Sequence, residues 1–116
     1  MAGSADFITT TENVLPDYDV VERYGVVRGI TVRSRSAMGM FGARFQQFFG
    51  GEITLLTELC EHTRAEAFAL AIEHARALGA NALIAVRYDA TEIMSGVSEV
   101  LCYGTALQVR RSRASA

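Results

Sequence analysis

The chain has 116 residues, half of them hydrophobic and 21% charged, with a formal net charge of −2. That is enough apolar material for the core of one domain, and it excludes a disordered polypeptide. Mild acidity argues against general attraction to nucleic acid or anionic lipid; no apolar run reaches the roughly 20 residues of a spanning helix, and MAGSADF lacks the basic and apolar regions of a signal peptide, so a cytoplasmic location is expected.

In chain order, a brief extended segment is expected around Phe7–Thr10, followed by a polar stretch and the single proline, Pro16. "YDVVERYGVVRGITVRS", residues 18–34, is rich in Val, Ile and Tyr and reads as strand. Gly25 marks either a turn between two strands or a bulge in one. In residues 36–52, Met38, Phe41, Phe45, Phe48 and Phe49 recur at spacings of three and four, which predicts a short helix starting at Ser36 and broken at Gly50-Gly51. From Ile53 to Leu78 helix formers dominate, with no Pro or Gly; Gly79 stands as the cap residue and Arg76 suits the last turn. "NALIAVRYDA" and "VSEVLCYGTALQVR" read as two strands joined around Ser95-Gly96, an antiparallel pair. The ends, about 1–6 and 110–116, are expected to fray. The fold expected is α+β: one domain over residues 1–116, its long helix packed on a small antiparallel sheet.

The long helix carries more apolar surface than one sheet needs. At about 100° per residue, Leu56, Cys60, Thr63, Ala67, Leu70, His74 and Leu78 form one stripe suited to the sheet. Ala65, Phe68 and Ile72 form a second patch, expected to pack against another subunit or against the phenylalanine-rich segment. Glu58, His62, Glu66, Ala69, Glu73 and Arg76 complete the polar arc. Homo-oligomerisation follows, because apolar patches of this kind are uncommon on monomers.

Residues that carry chemistry are few. All eleven basic residues are arginine, which excludes mechanisms that need a lysine. Two cysteines are too few for a disulfide scaffold. In "LCEHT", residues 59–63, Cys60 and His62 are two apart and point about 200° away from each other on a helix, so they do not share a metal ion. Glu58, His62 and Glu66 do share one stripe at i, i+4, i+8, which suits a borderline divalent cation, although a mixed-charge helix face is more often only solvated. Cys102 shares a strand face with Val100 and Gly104. It is placed to meet Cys60 across the helix–sheet interface as a two-thiol site for a soft metal, or simply to pack there. His74 reads as a core histidine with one hydrogen-bond partner, and Asp89 and Glu92, after the first C-terminal strand, either bind a cation or, more commonly, solvate a turn. Gly50, Gly51 and Glu52 precede the helix; they act as bend and cap, or as a small ligand pocket at a subunit boundary where Glu52 makes the contact. Arg110, Arg111 and Arg113 read as a solvated tail. No nucleophile, base and orienting acid come together, so catalysis is not expected.

"TTTEN" (9–13), "YGVVRGITV" (24–32), "GGEIT" (50–54), "ARALGANAL" (75–83), "VRYD" (86–89) and "YGTAL" (103–107), in that order, resemble the YbjQ-like family over roughly residues 7 to 109. That family is described as heavy-metal-binding and has no assigned function. Where a tyrosine commonly follows GGEI, Leu56 stands here. The resemblance implies a dodecin-like subunit in a ring-shaped homo-oligomer, a pentamer. It makes the first functional expectation an oligomeric ligand- or heavy-metal-binding module with sites between subunits, taking a divalent or soft metal ion. The second is a structural scaffold with no small-molecule site. The expected partner is the protein itself, with neither nucleic acid nor membrane.

Overall fold

The computed structural model describes residues 7–34 and 52–113. Their elements are β1 (Ile8–Thr9), β2 (Tyr18–Ser34), α1 (Glu52–Leu78), β3 (Ala82–Met94) and β4 (Val97–Arg111). The four strands form one sheet in the order β1-β3-β4-β2. β4 runs antiparallel to both β2 and β3, so β2 and β3 are parallel to each other with β4 between them and α1 as the crossover, a split β-α-β arrangement. The sheet is nonetheless mixed rather than purely antiparallel, because β1 pairs with β3 in parallel. The N-terminal segment extends that pairing: Thr10 N–H donates to Leu83 O at 3.2 Å and Val86 N–H to Thr10 O at 3.0 Å. The predicted short helix from Ser36, broken at Gly50-Gly51, lies outside the described residues.

β2 is one long strand, and the alternative left open at Gly25 is settled as a bulge. The register slips between Val20 and Glu22 and again between Arg23 and Gly25, and Gly25 adopts φ 91°, which favours glycine. The helix ends where its sequence says it should. Gly79 N–H donates to Arg76 O and Ala80 N–H to Ala75 O, with Gly79 at φ 102°, the paired bonds of a Schellman cap. Asn81 then stitches the start of β3 to β4: its side chain donates to Val109 O at 2.9 Å and accepts from Val109 N–H at 2.8 Å.

α1 does not bury the expected stripe. Leu59, Thr63, Ala67, Ala71 and Ala75 face the sheet, a strict i, i+4 row. Such a row drifts by roughly 40° every four residues, so the buried line winds round the helix as it crosses the twisted sheet. Thr63 and Ala67 were on the expected face. Cys60, expected inside, is exposed, Leu78 is 51% exposed, and His74 is exposed while keeping one partner, Arg28 O, at 2.6 Å. The choice of alanines has a steric cause. A Cβ on Gly29 would sit 2.1 Å from Ala67 O, so strand and helix backbones touch and only small residues fit between them. Phe68, expected to pack against another subunit or the phenylalanine-rich segment, packs against this chain's own core with Phe7 and Tyr24.

A second cluster lies on the other side of the sheet, where Ile8, Leu15 and Tyr18 cover Ala82, Ile84, Leu107 and Val109. That cover reaches only one end. Farther along the same face Val26, Ile30 and Val32 are 69%, 42% and 50% exposed, and Ile93 and Met94 at the hairpin end are 54% and 64% exposed. The molecule measures 55 × 29 × 22 Å. Among the described residues no helix is long and apolar enough to cross a membrane.

Candidate functional site

The register of β2, β4 and β3 builds a floor in rows on the helix-facing side of the sheet. Arg33, Ser98 and Glu92 form one row, Thr31, Val100 and Ala90 the next, and Gly29, Cys102 and Tyr88 the third. α1 closes on the third row through Ala67 and Ala71 at Gly29 and leaves a cleft of about 290 Å³ over the first two. Leu59, Cys60, Thr63 and Arg64 form its helical wall, and Arg33, Ala90, Glu92, Ser98 and Val100 lie opposite. Most of its lining is apolar, which small-molecule clefts share.

The polar groups of the cleft are held in place. Arg33 pairs with Glu66 of the helix and donates to Val32 O at 3.2 Å. Glu92 Oε2 accepts from Gly96 N–H at 3.2 Å. Arg64 lies over the Tyr88 ring, 5.7 Å from its centroid, a cation–π contact. Thr63 Oγ1 donates to Leu59 O at 2.8 Å. Thr31 Oγ1 is buried and has no hydrogen-bond partner among the described residues.

The two thiols are both free and sit in opposite surroundings. Cys60 is exposed on the cleft wall. Cys102 is fully buried beneath α1. Burial pushes the Cys102 thiol above its ordinary 9.0, with the hydrogen bond to Tyr88 pulling the other way. Partial burial raises the Tyr88 hydroxyl above 10.0, and the charge of Cys102 adds to this. The expected Cys60–Cys102 pair across the interface therefore becomes one accessible thiol and one sealed one. The physical reason is the winding of the buried stripe, which brings Leu59 rather than Cys60 onto the sheet.

The surface stripe keeps its geometry but not its freedom. Glu58, His62 and Glu66 are exposed on one side of the helix, with His62 Nε2 3.8 Å from Glu66 Oε2. Glu66 is also the partner of Arg33, a competing cation that sequence spacing does not reveal. Among the described residues no three His, Cys, Asp or Glu side chains are grouped to hold a metal ion. Glu52 opens α1. Arg110 and Arg111 belong to β4, opposite Asp19 and Tyr18, and Arg111 lies over the Tyr18 ring at 5.8 Å.

Arg33, Arg64 and Ser98 went unread as site residues; Asp89 and Glu92, expected after a strand as a cation ligand or turn residues, both lie within β3. The signal available was alternation: Thr31 and Arg33 share the face of Val27 and Gly29, and Ser98 that of Val100 and Cys102. Which residues stand opposite them is set by register, which one strand's sequence does not carry.

A family model named YbjQ_1, with the description "Putative heavy-metal-binding", matches residues 7–110. A UPF0145 protein of Solibacter usitatus is 56% identical over 104 residues, covering 90% of this chain and 92% of that one. A UPF0145 protein of Burkholderia thailandensis is 55% identical over 105 residues, covering 90% and 95%. Among solved structures, a protein of unknown function from Pediococcus pentosaceus superposes with a TM-score of 0.56 at 17% identity, over 90% of this chain and 98% of that chain. This last likeness supports the α+β fold alone.

Proposed function

This chain belongs to the YbjQ_1 family, and from that membership together with the cleft we propose that it is a non-catalytic, cytoplasmic binding module that takes a soft metal ion at Cys60 as a homo-oligomer, a closed ring of five copies. The observation that carries the reading is the exposed Cys60 thiol on the wall of the cleft. Thiolate is the donor that selects soft and borderline metals such as copper(I), cadmium and zinc. No three ligands are grouped among the described residues of one chain, so further donors come from a second copy, and His62 is the nearest candidate on the exposed side of α1.

Assembly is supported by the apolar residues left open: Val26, Ile30 and Val32 on the sheet, and Ile93 and Met94 at its end. A groove of about 580 Å³ also runs along the outer edge of β2, where Val26 and Ile30 meet Leu70, His74 and Leu78. An edge strand beside an apolar groove is a place for another chain to pair.

The test is cadmium or zinc uptake by protein purified without a metal-affinity column. Metal at a fixed ratio to chains is expected for wild type and for Cys102→Ser, with loss of at least tenfold in affinity for Cys60→Ser. Equal uptake by wild type and Cys60→Ser sinks the reading, and an assembled protein that takes up no metal favours the scaffold instead.

A further inference from the structure

We propose that the cleft between α1 and the far half of the sheet binds a small zwitterion of the α-amino-acid type. The proposal uses the cleft named for the metal reading but none of its donor atoms, so each stands or falls separately.

Arg33 of β2 pairs with Ser98 of β4, and Ser98 with Glu92 of β3. One row across the floor thus carries a guanidinium, a hydroxyl and a carboxylate, all lining the cleft. Strands lie about 4.8 Å apart, so the outer two stand roughly 10 Å apart. No ion pair joins Arg33 to Glu92 among the described residues. Each is anchored separately instead, Arg33 by Glu66 and Glu92 by Gly96 N–H. Arg64 adds a second guanidinium from the helix, held flat on Tyr88.

Arg33 is compensated by Glu66, so the lining charges left without an ion pair among the described residues are Arg64 and Glu92. A simple anion leaves Glu92 uncompensated, and a simple cation leaves Arg64 so. A carboxylate toward Arg64 with an ammonium toward Glu92 satisfies both, and the carboxylate–guanidinium contact is the stronger, bidentate kind. Between them Val100 and Ala90 of the second row, with Leu59 above, offer apolar cover for a side chain. A volume of about 290 Å³ is that of about ten water molecules at ~30 Å³ each, room for a large amino acid or a dipeptide.

The experiment titrates the full chain with L-leucine, N-acetyl-L-leucine, which lacks the ammonium, and L-leucinamide, which lacks the carboxylate, followed by calorimetry and amide chemical shifts. Leucine is expected to bind at least tenfold more tightly than either control. Glu92→Gln should weaken leucine about tenfold and leave N-acetyl-leucine unchanged; Arg64→Gln should weaken leucine and leave leucinamide unchanged. Both positions are exposed, so folding is not at stake. Equal affinity for the three probes, no binding by any, or indifference of leucine to Glu92→Gln overturns the proposal. Glu92→Gln should weaken leucine and leave metal uptake at Cys60 unchanged, which separates the two readings.

Discussion

Cys60 and Cys102 show how far a side chain's chemistry depends on what covers it. Cys102 lies fully buried against the helix, and burial holds its thiol above the ordinary value. The folded state therefore keeps that proton more tightly than the unfolded chain does. Its contribution to stability is complete below the unfolded thiol range and is lost as pH rises through and beyond it. Tyr88, raised for the same leading reason, acts in the same direction at higher pH. The melting temperature is expected to fall from about pH 9 upward, and Cys102→Ala should flatten the first part of that fall in melts between pH 7 and 10.5. A disulfide reagent at pH 8 should modify Cys60 at once and Cys102 only on unfolding; two equally fast thiols would contradict the sealing. The identity of both cysteines as unpaired thiols was legible in the chain, since two in such a composition make no scaffold. Their opposite exposure was not, because it depends on a rotation of the helix by about one residue.

At the scale of elements, the helix, the three longer strands and the cap at Gly79 could be read from propensity, periodicity and punctuation. The contact between helix and sheet could not. The expected stripe ran through Cys60, Thr63, Ala67, His74 and Leu78; the fold buries Thr63 and Ala67 of these, and turns Leu59, Ala71 and Ala75 inward in place of Cys60, His74 and Leu78. Close approach decides the matter, because Gly29 leaves no room for even a methyl group beneath Ala67. Gly29→Ala is therefore expected to cost about 3 kcal/mol, measured by denaturant unfolding, since its Cβ meets helix backbone that has no rotamer to change. A cost below about 1 kcal/mol would mean that α1 does not sit on β2 in this way. The same close packing gives the cleft its shape, since the helix touches the sheet at Gly29 and stands clear of the Arg33 row.

For the whole molecule, the described residues make one sheet layer and one helix layer, and Val26, Ile30 and Val32 are left exposed on the other face of the sheet. A second copy is the cover the proposed assembly supplies. Light scattering should give a homo-oligomer for wild type, and Ile30→Glu should reduce the mass without changing the far-ultraviolet circular dichroism. A monomeric wild type at micromolar concentration removes the assembly from the proposal and, with it, the second copy's metal ligands. The sequence by itself determined the α+β class, the order of the elements, the helix cap and the family, because these rest on local propensity and on motifs that keep their order along the chain. Only the tertiary structure decided which helix face is buried, that β1 adds a parallel strand, and that Arg33, Ser98 and Glu92 line up across a cleft. Strand register and backbone approach set those features, and both are relations between distant segments that neither segment carries alone.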